Sequence, residues 1–169
     1  MSARARAAAG TLAFLLLVPG VVAGLVPYAL TGWEREGHVS FLEAAAGWVL
    51  VAAGLAALLG SFARFALEGI GTPAPVAPTE HLVVTGLYRY VRNPMYLAVA
   101  ALIVGQALVL GRPALLLYAL AFGAAVVAFV RGYEEPALTR RFGAEYEAYR
   151  GAVPGCWPRV RPWSPRDHR

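Results

Sequence analysis

Four stretches of the chain carry no charged residue: 7–33, 44–63, 93–111 and 113–130. Each holds roughly 18 residues or more, enough to cross a hydrocarbon layer about 30 Å thick as a helix. They predict transmembrane helices over about 9–31, 41–67, 93–110 and 113–132. Only Gly111, Arg112 and Pro113 separate the third from the fourth. Those two must form an antiparallel hairpin, which brings Asn93-Pro94 and Tyr133-Glu134-Glu135 to one membrane face. Beyond Pro136, Leu138, Phe142, Tyr146 and Tyr149 recur at spacings of four, four and three, one face of a helix. Arg140, Arg141, Glu147 and Arg150 take the opposite face. The pattern predicts a single-domain, all-α integral membrane bundle of about four spans with a C-terminal amphipathic helix at its cytoplasmic end.

Composition agrees. Of 169 residues, 59% are hydrophobic and 15% charged, where a soluble domain carries roughly a quarter charged. All fifteen basic residues are Arg, which reads as genomic base composition, and the net charge of +5 reads as topology rather than nucleic-acid affinity. Arg4 and Arg6 precede the first span, the loop 33–43 holds more acid than base, and Arg64, Arg89 and Arg92 flank the central segment. The short turn has only Arg112, and the tail is rich in Arg. By the positive-inside rule both termini and the central loop are expected in the cytoplasm, with the chain in a bacterial inner membrane. The first run is too long for the apolar core of a signal peptide and has no clear cleavage site, so it is expected to stay as a span. A lone Cys156 and the scattered His38, His81 and His168 exclude a disulfide framework and provide no metal-ligand spacing.

Pro19 and Pro27 predict a kinked first helix whose freed carbonyls are satisfied by neighbours. The second is rich in Ala and Gly from Ala44 to Gly60, the residues that let helices approach closely in lipid. The segment 68–79 has three prolines and cannot continue a helix. It is expected to fold over a site, with Gly69 and Gly71 letting backbone approach a ligand. Leu82-Val83-Val84 reads as a short extended piece before a turn at Gly86. The tail from Gly151, with Trp157 and Trp163, reads as irregular and interfacial.

Candidate chemistry concentrates at the cytoplasmic end of the hairpin. Glu134 and Glu135, placed near Arg89 and Arg92, would form a site with both signs of charge, suited to a zwitterionic ligand. A carboxylate takes ribose hydroxyls or an ammonium, and an arginine takes a carboxylate or phosphate bidentately. Tyr88, Tyr90 and Tyr96 offer ring faces for a purine or a cation, and an aromatic belt at the membrane interface accounts for them equally well.

Gly86-Leu-Tyr-Arg-Tyr-Val-Arg-Asn-Pro-Met-Tyr96, then a hairpin, then Tyr133-Glu-Glu-Pro136 and Phe142-Gly-x-x-Tyr146-x-x-Tyr149, resembles the isoprenylcysteine carboxyl methyltransferase and phospholipid methyltransferase superfamily. The resemblance covers the chain from Gly69 to the tail. It implies an S-adenosylmethionine-dependent membrane methyltransferase whose cofactor comes from the cytoplasm and whose lipid or hydrophobic small-molecule acceptor comes from the bilayer. By position it implies cofactor binding at Tyr88, Arg92, Asn93, Pro94, Tyr96, Glu134 and Glu135; Gly69 and Gly71 join them through the loop expected to fold over the site. It makes Glu135, Arg92 and Asn93 the catalytic candidates. Prenylcysteine enzymes usually have His where this chain has Asn93, so the motif is more similar to that of the phosphatidylethanolamine methyltransferases. Two other readings stay open: an NADPH-dependent reductase related to the sterol reductases, and a non-catalytic lipid-binding protein of the same fold.

Overall fold

The computed structural model describes residues 17–68 and 82–164, without the side chains of 65–68. Among the described residues all regular secondary structure is helical, with no strand. Helix α1, Leu17–Thr31, contains a π-turn over Val21–Leu25. Pro27 lacks the N–H that would pair with a carbonyl one turn back. The carbonyls left over find partners on other helices: Gln106 Nε2 donates to Ala23 O at 2.8 Å and Tyr118 Oη to Val22 O at 2.9 Å. The expected proline distortion is therefore a π-turn, stitched to its neighbours.

Helix α2, Phe41–Glu68, starts from a reciprocal capping box. Ser40 N and Oγ both donate to Glu43 Oε2, at 2.8 and 2.7 Å, and Glu43 N donates to Ser40 Oγ at 3.3 Å. Helix α3, Pro94–Leu110, runs antiparallel to it, with Gly47 against Gly105 and Gly54 against Ala98. A Cβ on Gly105 would lie 2.7 Å from Gly47 O, and one on Gly47 would lie 2.8 Å from Gly105 O. The small residues expected to pack helices do so at this crossing.

Helix α4, Pro113–Phe129, follows the predicted tight turn, where Gly111 has φ +64° and Glu36 N donates to Leu110 O at 2.9 Å. The helix continues through a second π-turn, Val130–Glu134, into α5, Glu135–Phe142. Phe41–Arg64 and Pro113–Phe142 are long and apolar enough to cross a membrane, yet only 17% and 11% of their apolar windows are buried. A core helix of a soluble protein would bury most of that surface; here it is left for lipid. Leu17–Thr31 and Pro94–Leu110 are shorter apolar helices.

The amphipathic C-terminal helix forms in two pieces, because Gly143 (φ +53°) breaks it between α5 and α6, Ala144–Ala152. Its apolar face is covered by the chain itself rather than lying bare on the lipid headgroups. Tyr146, Tyr149, Val153 and Trp163 form a buried cluster, with Leu82, Val84, Leu138 and Phe142 packed against it. Trp163 is thus core, whereas Trp157 is 81% exposed. The expected extended piece at 82–84 has no regular secondary structure and contributes side chains to this cluster. A separate cluster, including Leu58, Phe62, Val99, Ile103 and Leu115, ties α2, α3 and α4 together.

Candidate functional site

The site is assembled where the chain turns into α3. Gly86 adopts φ +56°, a conformation that costs glycine little, and begins a 3₁₀ turn, Gly86–Arg89. The turn carries Tyr88 inward, and Tyr149 Oη fixes its carbonyl with a 2.7 Å hydrogen bond. Proline at 94 disfavours a helical residue before it, and Asn93 accordingly sits at φ −120°, ψ 56°. Its side chain makes no helix cap. Instead Nδ2 donates to Gly155 O at 3.1 Å.

Arg92 is the hub. Nη1 donates to Glu135 Oε1 at 2.6 Å and to Tyr146 Oη at 3.1 Å, while Nε donates to Val153 O at 2.9 Å. Its backbone N–H donates to Pro154 O at 2.8 Å. The Glu135 carboxylate also meets Arg150 Nη2 at 3.3 Å from Oε2. The side chains of Arg92 and Glu135 are 14% and 12% exposed, so the pair is largely removed from water. Burial works against the Arg92 charge, but the hydrogen bond it donates to Glu135 and the nearby Tyr146 more than offset it and raise its pKa. Burial also raises the pKa of Tyr88, Tyr146 and Tyr149, with Arg92 opposing the shift at the last two. All three are neutral hydroxyls at pH 7.

Glu134 points elsewhere. Successive helical residues face different directions, and the π-turn presents Glu134 to Tyr96, whose Oη donates to Oε2 at 3.0 Å. Its Oε1 has no hydrogen-bond partner among the described residues. The π-turn at the end of α4 thereby delivers two consecutive carboxylates to two different partners, Tyr96 and Arg92, on the start of α3.

Arg92, Asn93, Tyr96, Glu134 and Glu135 come together as expected, with Pro94 as the first residue of α3 and Tyr88 buried beside them. Arg89, expected near the carboxylates, instead faces the tail: Nε donates to Trp163 O at 2.7 Å and its carbonyl accepts from Trp163 N at 2.9 Å. Tyr133 is 49% exposed and stacks on Phe129, outside the cluster. Gly69 and Gly71 lie outside the described residues. Sequence reasoning missed Arg150 and the polar ends of Tyr146 and Tyr149. The signal was the Tyr-x-x-Tyr spacing, which puts two hydroxyls on the face read as apolar. It also missed the carbonyls of Val153, Pro154 and Gly155, which no residue type announces.

Apolar helices left largely unburied and closed at one end by a buried polar cluster define an integral membrane protein. The family model described as Phospholipid methyltransferase matches residues 42–145, more than half of the chain. The chain belongs to that family, a family of membrane methyltransferases. The match takes in Arg92, Asn93, Tyr96, Glu134 and Glu135 and stops just short of Tyr146. Neither a curated protein nor a solved structure matches the chain.

Proposed function

We propose that the protein transfers a methyl group from S-adenosylmethionine to a lipid-like or hydrophobic acceptor, an amine head group or a carboxylate, at the cytoplasmic face of the membrane. The observation that carries this reading is the Glu134 carboxylate, held on one oxygen by Tyr96 and uncommitted on the other, inside the segment matched by the family. A carboxylate so placed suits ribose hydroxyls or an α-ammonium, both found on the cofactor. When bound, the cofactor supplies a sulfonium methyl for in-line displacement by the acceptor, a reaction served by alignment and a dry pocket.

In this proposal Glu134 and Tyr96 touch the cofactor, and Tyr88, Asn93 and Pro94 form the wall beside them. Gly69 and Gly71 are assigned to the same pocket from the loop before it. Arg92, Glu135 and Asn93, the catalytic candidates, act by positioning: the ion pair and the Asn93 amide hold the start of α3, the end of α4 and the tail in register. With Glu135 committed to two arginines, Glu134 is the carboxylate left to take a proton from an ammonium acceptor. Isothermal titration of the detergent-purified protein with S-adenosylmethionine, S-adenosylhomocysteine and NADPH tests the reading. Binding of the first two and not the third is expected. Binding of NADPH instead would identify a reductase, and silence from all three in a folded protein would leave a non-catalytic lipid-binding protein.

A further inference from the structure

The tail after α6 is tied to the start of α3 on both sides of an exposed loop. Pro154 O accepts from Arg92 N at 2.8 Å, and Gly155 O accepts from Asn93 Nδ2 at 3.1 Å. Further on, Arg159 N donates to Tyr90 O and Trp163 N to Arg89 O, both at 2.9 Å. Arg159 Nη1 also reaches back to Ala152 O at 2.8 Å. Pro154, Pro158 and Pro162 restrict the backbone further. Between these ties the chain turns apolar side chains outward. Trp157 is 81% exposed and Val160 96% exposed, with Cys156, Pro158, Arg161 and Pro162 exposed around them. A loop pinned at both ends cannot fold these residues inward, so their exposure is built in.

Location and charge indicate what covers them. The residues that hold the loop, within 89–93, immediately precede Pro94, where the apolar helix α3 begins. The loop therefore stands where α3 leaves the hydrocarbon layer, the depth at which Trp concentrates in membrane proteins. From Gly151 to Ser164 the tail has Arg159 and Arg161 and no acidic residue. The Arg159 guanidinium serves a carbonyl, whereas Arg161 is exposed and makes no hydrogen bond or ion pair among the described residues. We propose that the loop 156–161 is a membrane-docking element for an anionic leaflet. Trp157 and Val160 enter the headgroup layer, and Arg161 lies on its negative charges. The lipids engaged are the bilayer surface and not the methyl acceptor. Because the loop is bonded to Arg92 and Asn93, docking also braces the candidate site. That consequence rests on the methyltransferase reading; the docking does not.

Cys156, the one cysteine of the chain, is exposed on this loop and takes a nitroxide label without any substitution. The labelled full chain is placed in nanodiscs of phosphatidylcholine alone or mixed with phosphatidylglycerol. Power saturation with oxygen and with nickel–EDDA reports how the label divides between lipid and water. It should be immersed in the mixed nanodiscs and less so in the neutral ones. Trp157→Ser and Val160→Ser should each return it to water. Both side chains are exposed, so the thermal midpoint in detergent should not move. Arg161→Gln should lower the immersed-to-aqueous ratio about fivefold in the mixed nanodiscs alone, equivalent to ~1 kcal/mol for one arginine at an anionic surface. A label equally open to water in both nanodiscs overturns the proposal and leaves this surface to a soluble partner. Immersion that survives both serine variants overturns it too, because the label itself then drives insertion. For the bracing, S-adenosylhomocysteine should bind more tightly in the mixed nanodiscs, and Trp157→Ser should lose that gain. Docking without such a gain overturns the bracing. Docking without any binding of this ligand leaves the docking intact and overturns the methyltransferase reading.

Discussion

Glu134 and Glu135 are neighbours in the chain with opposite duties. Glu135 is held by Arg92 and Arg150 in a pair largely shielded from water. Removing its charge leaves Arg92 buried and under-paired, so Glu135→Gln should lower stability by about 3 kcal/mol, read as a fall in thermal midpoint in detergent. Glu134→Gln keeps an acceptor for Tyr96 and should shift stability by less than about 1 kcal/mol. It should nevertheless weaken S-adenosylmethionine binding more than tenfold. If both variants lose stability and affinity in parallel, the division of labour is wrong. The buried tyrosines add a pH dependence. Tyr88, Tyr146 and Tyr149 have pKa values raised by burial, so the folded state holds their protons more tightly than the unfolded chain. Their contribution is fully present below the unfolded value of about 10 and is lost as pH rises from there toward the folded values. Ultraviolet titration should show a group of tyrosines ionising only as the protein unfolds at alkaline pH. Reversible ionisation of every tyrosine near pH 10 in the folded protein would contradict this.

At the scale of elements, both π-turns precede a proline by a few residues, Pro27 and Pro136, and both have consequences for polar groups. In α1 the consequence is structural. Gln106 sits in an apolar helix because its amide serves Ala23 O and its Oε1 accepts from Trp33 Nε1 at 3.1 Å. Gln106→Leu should therefore cost about 1 kcal/mol, the scale of polar contacts between membrane helices. Pro27→Ala returns a backbone N–H one turn after the freed carbonyls. It should soften the Gln106→Leu defect in the double variant, so that the two changes are not additive. Strict additivity in thermal midpoints would refute the link between them. In α4 the consequence concerns the site, where Val130–Glu134 turns successive carboxylates toward separate partners. An uninterrupted α-helix would carry the same residues in a different register.

At the scale of the whole molecule, two apolar clusters among the described residues have different jobs. One binds the spans to each other; the other binds α5, α6 and the tail into a cap over the start of α3. The tail is tied to the site by backbone as well as side chains: Arg159 N donates to Tyr90 O and Trp163 N to Arg89 O, both at 2.9 Å. Trp163→Ala should empty the middle of the cap at a cost of about 3 kcal/mol or more. The expected result is loss of S-adenosylmethionine binding with helical circular dichroism retained, because the spans keep their own core. Global loss of helix on this substitution would show that the two clusters form one cooperative unit.

The helical class, the membrane setting and the hairpin were legible in the sequence because each depends on local quantities. Uncharged runs set span length, and a turn of three residues leaves no other way for two helices to connect. Gly86 and Gly111 lie where local backbone chemistry requires them; the Ser40–Glu43 cap does too, although sequence reasoning did not single it out. The meeting of Arg92, Asn93 and Tyr96 with Glu134 and Glu135 was also inferable, since the hairpin places both groups at one end. Only the tertiary structure decided which carboxylate is consumed by an ion pair and which is left available, because that depends on the twist of a π-turn. It alone decided that Arg89 turns to the tail and that Trp163 is core. Those outcomes rest on carbonyl groups at 153, 154, 155 and 163, which every residue has and which become specific only when a distant segment folds against them.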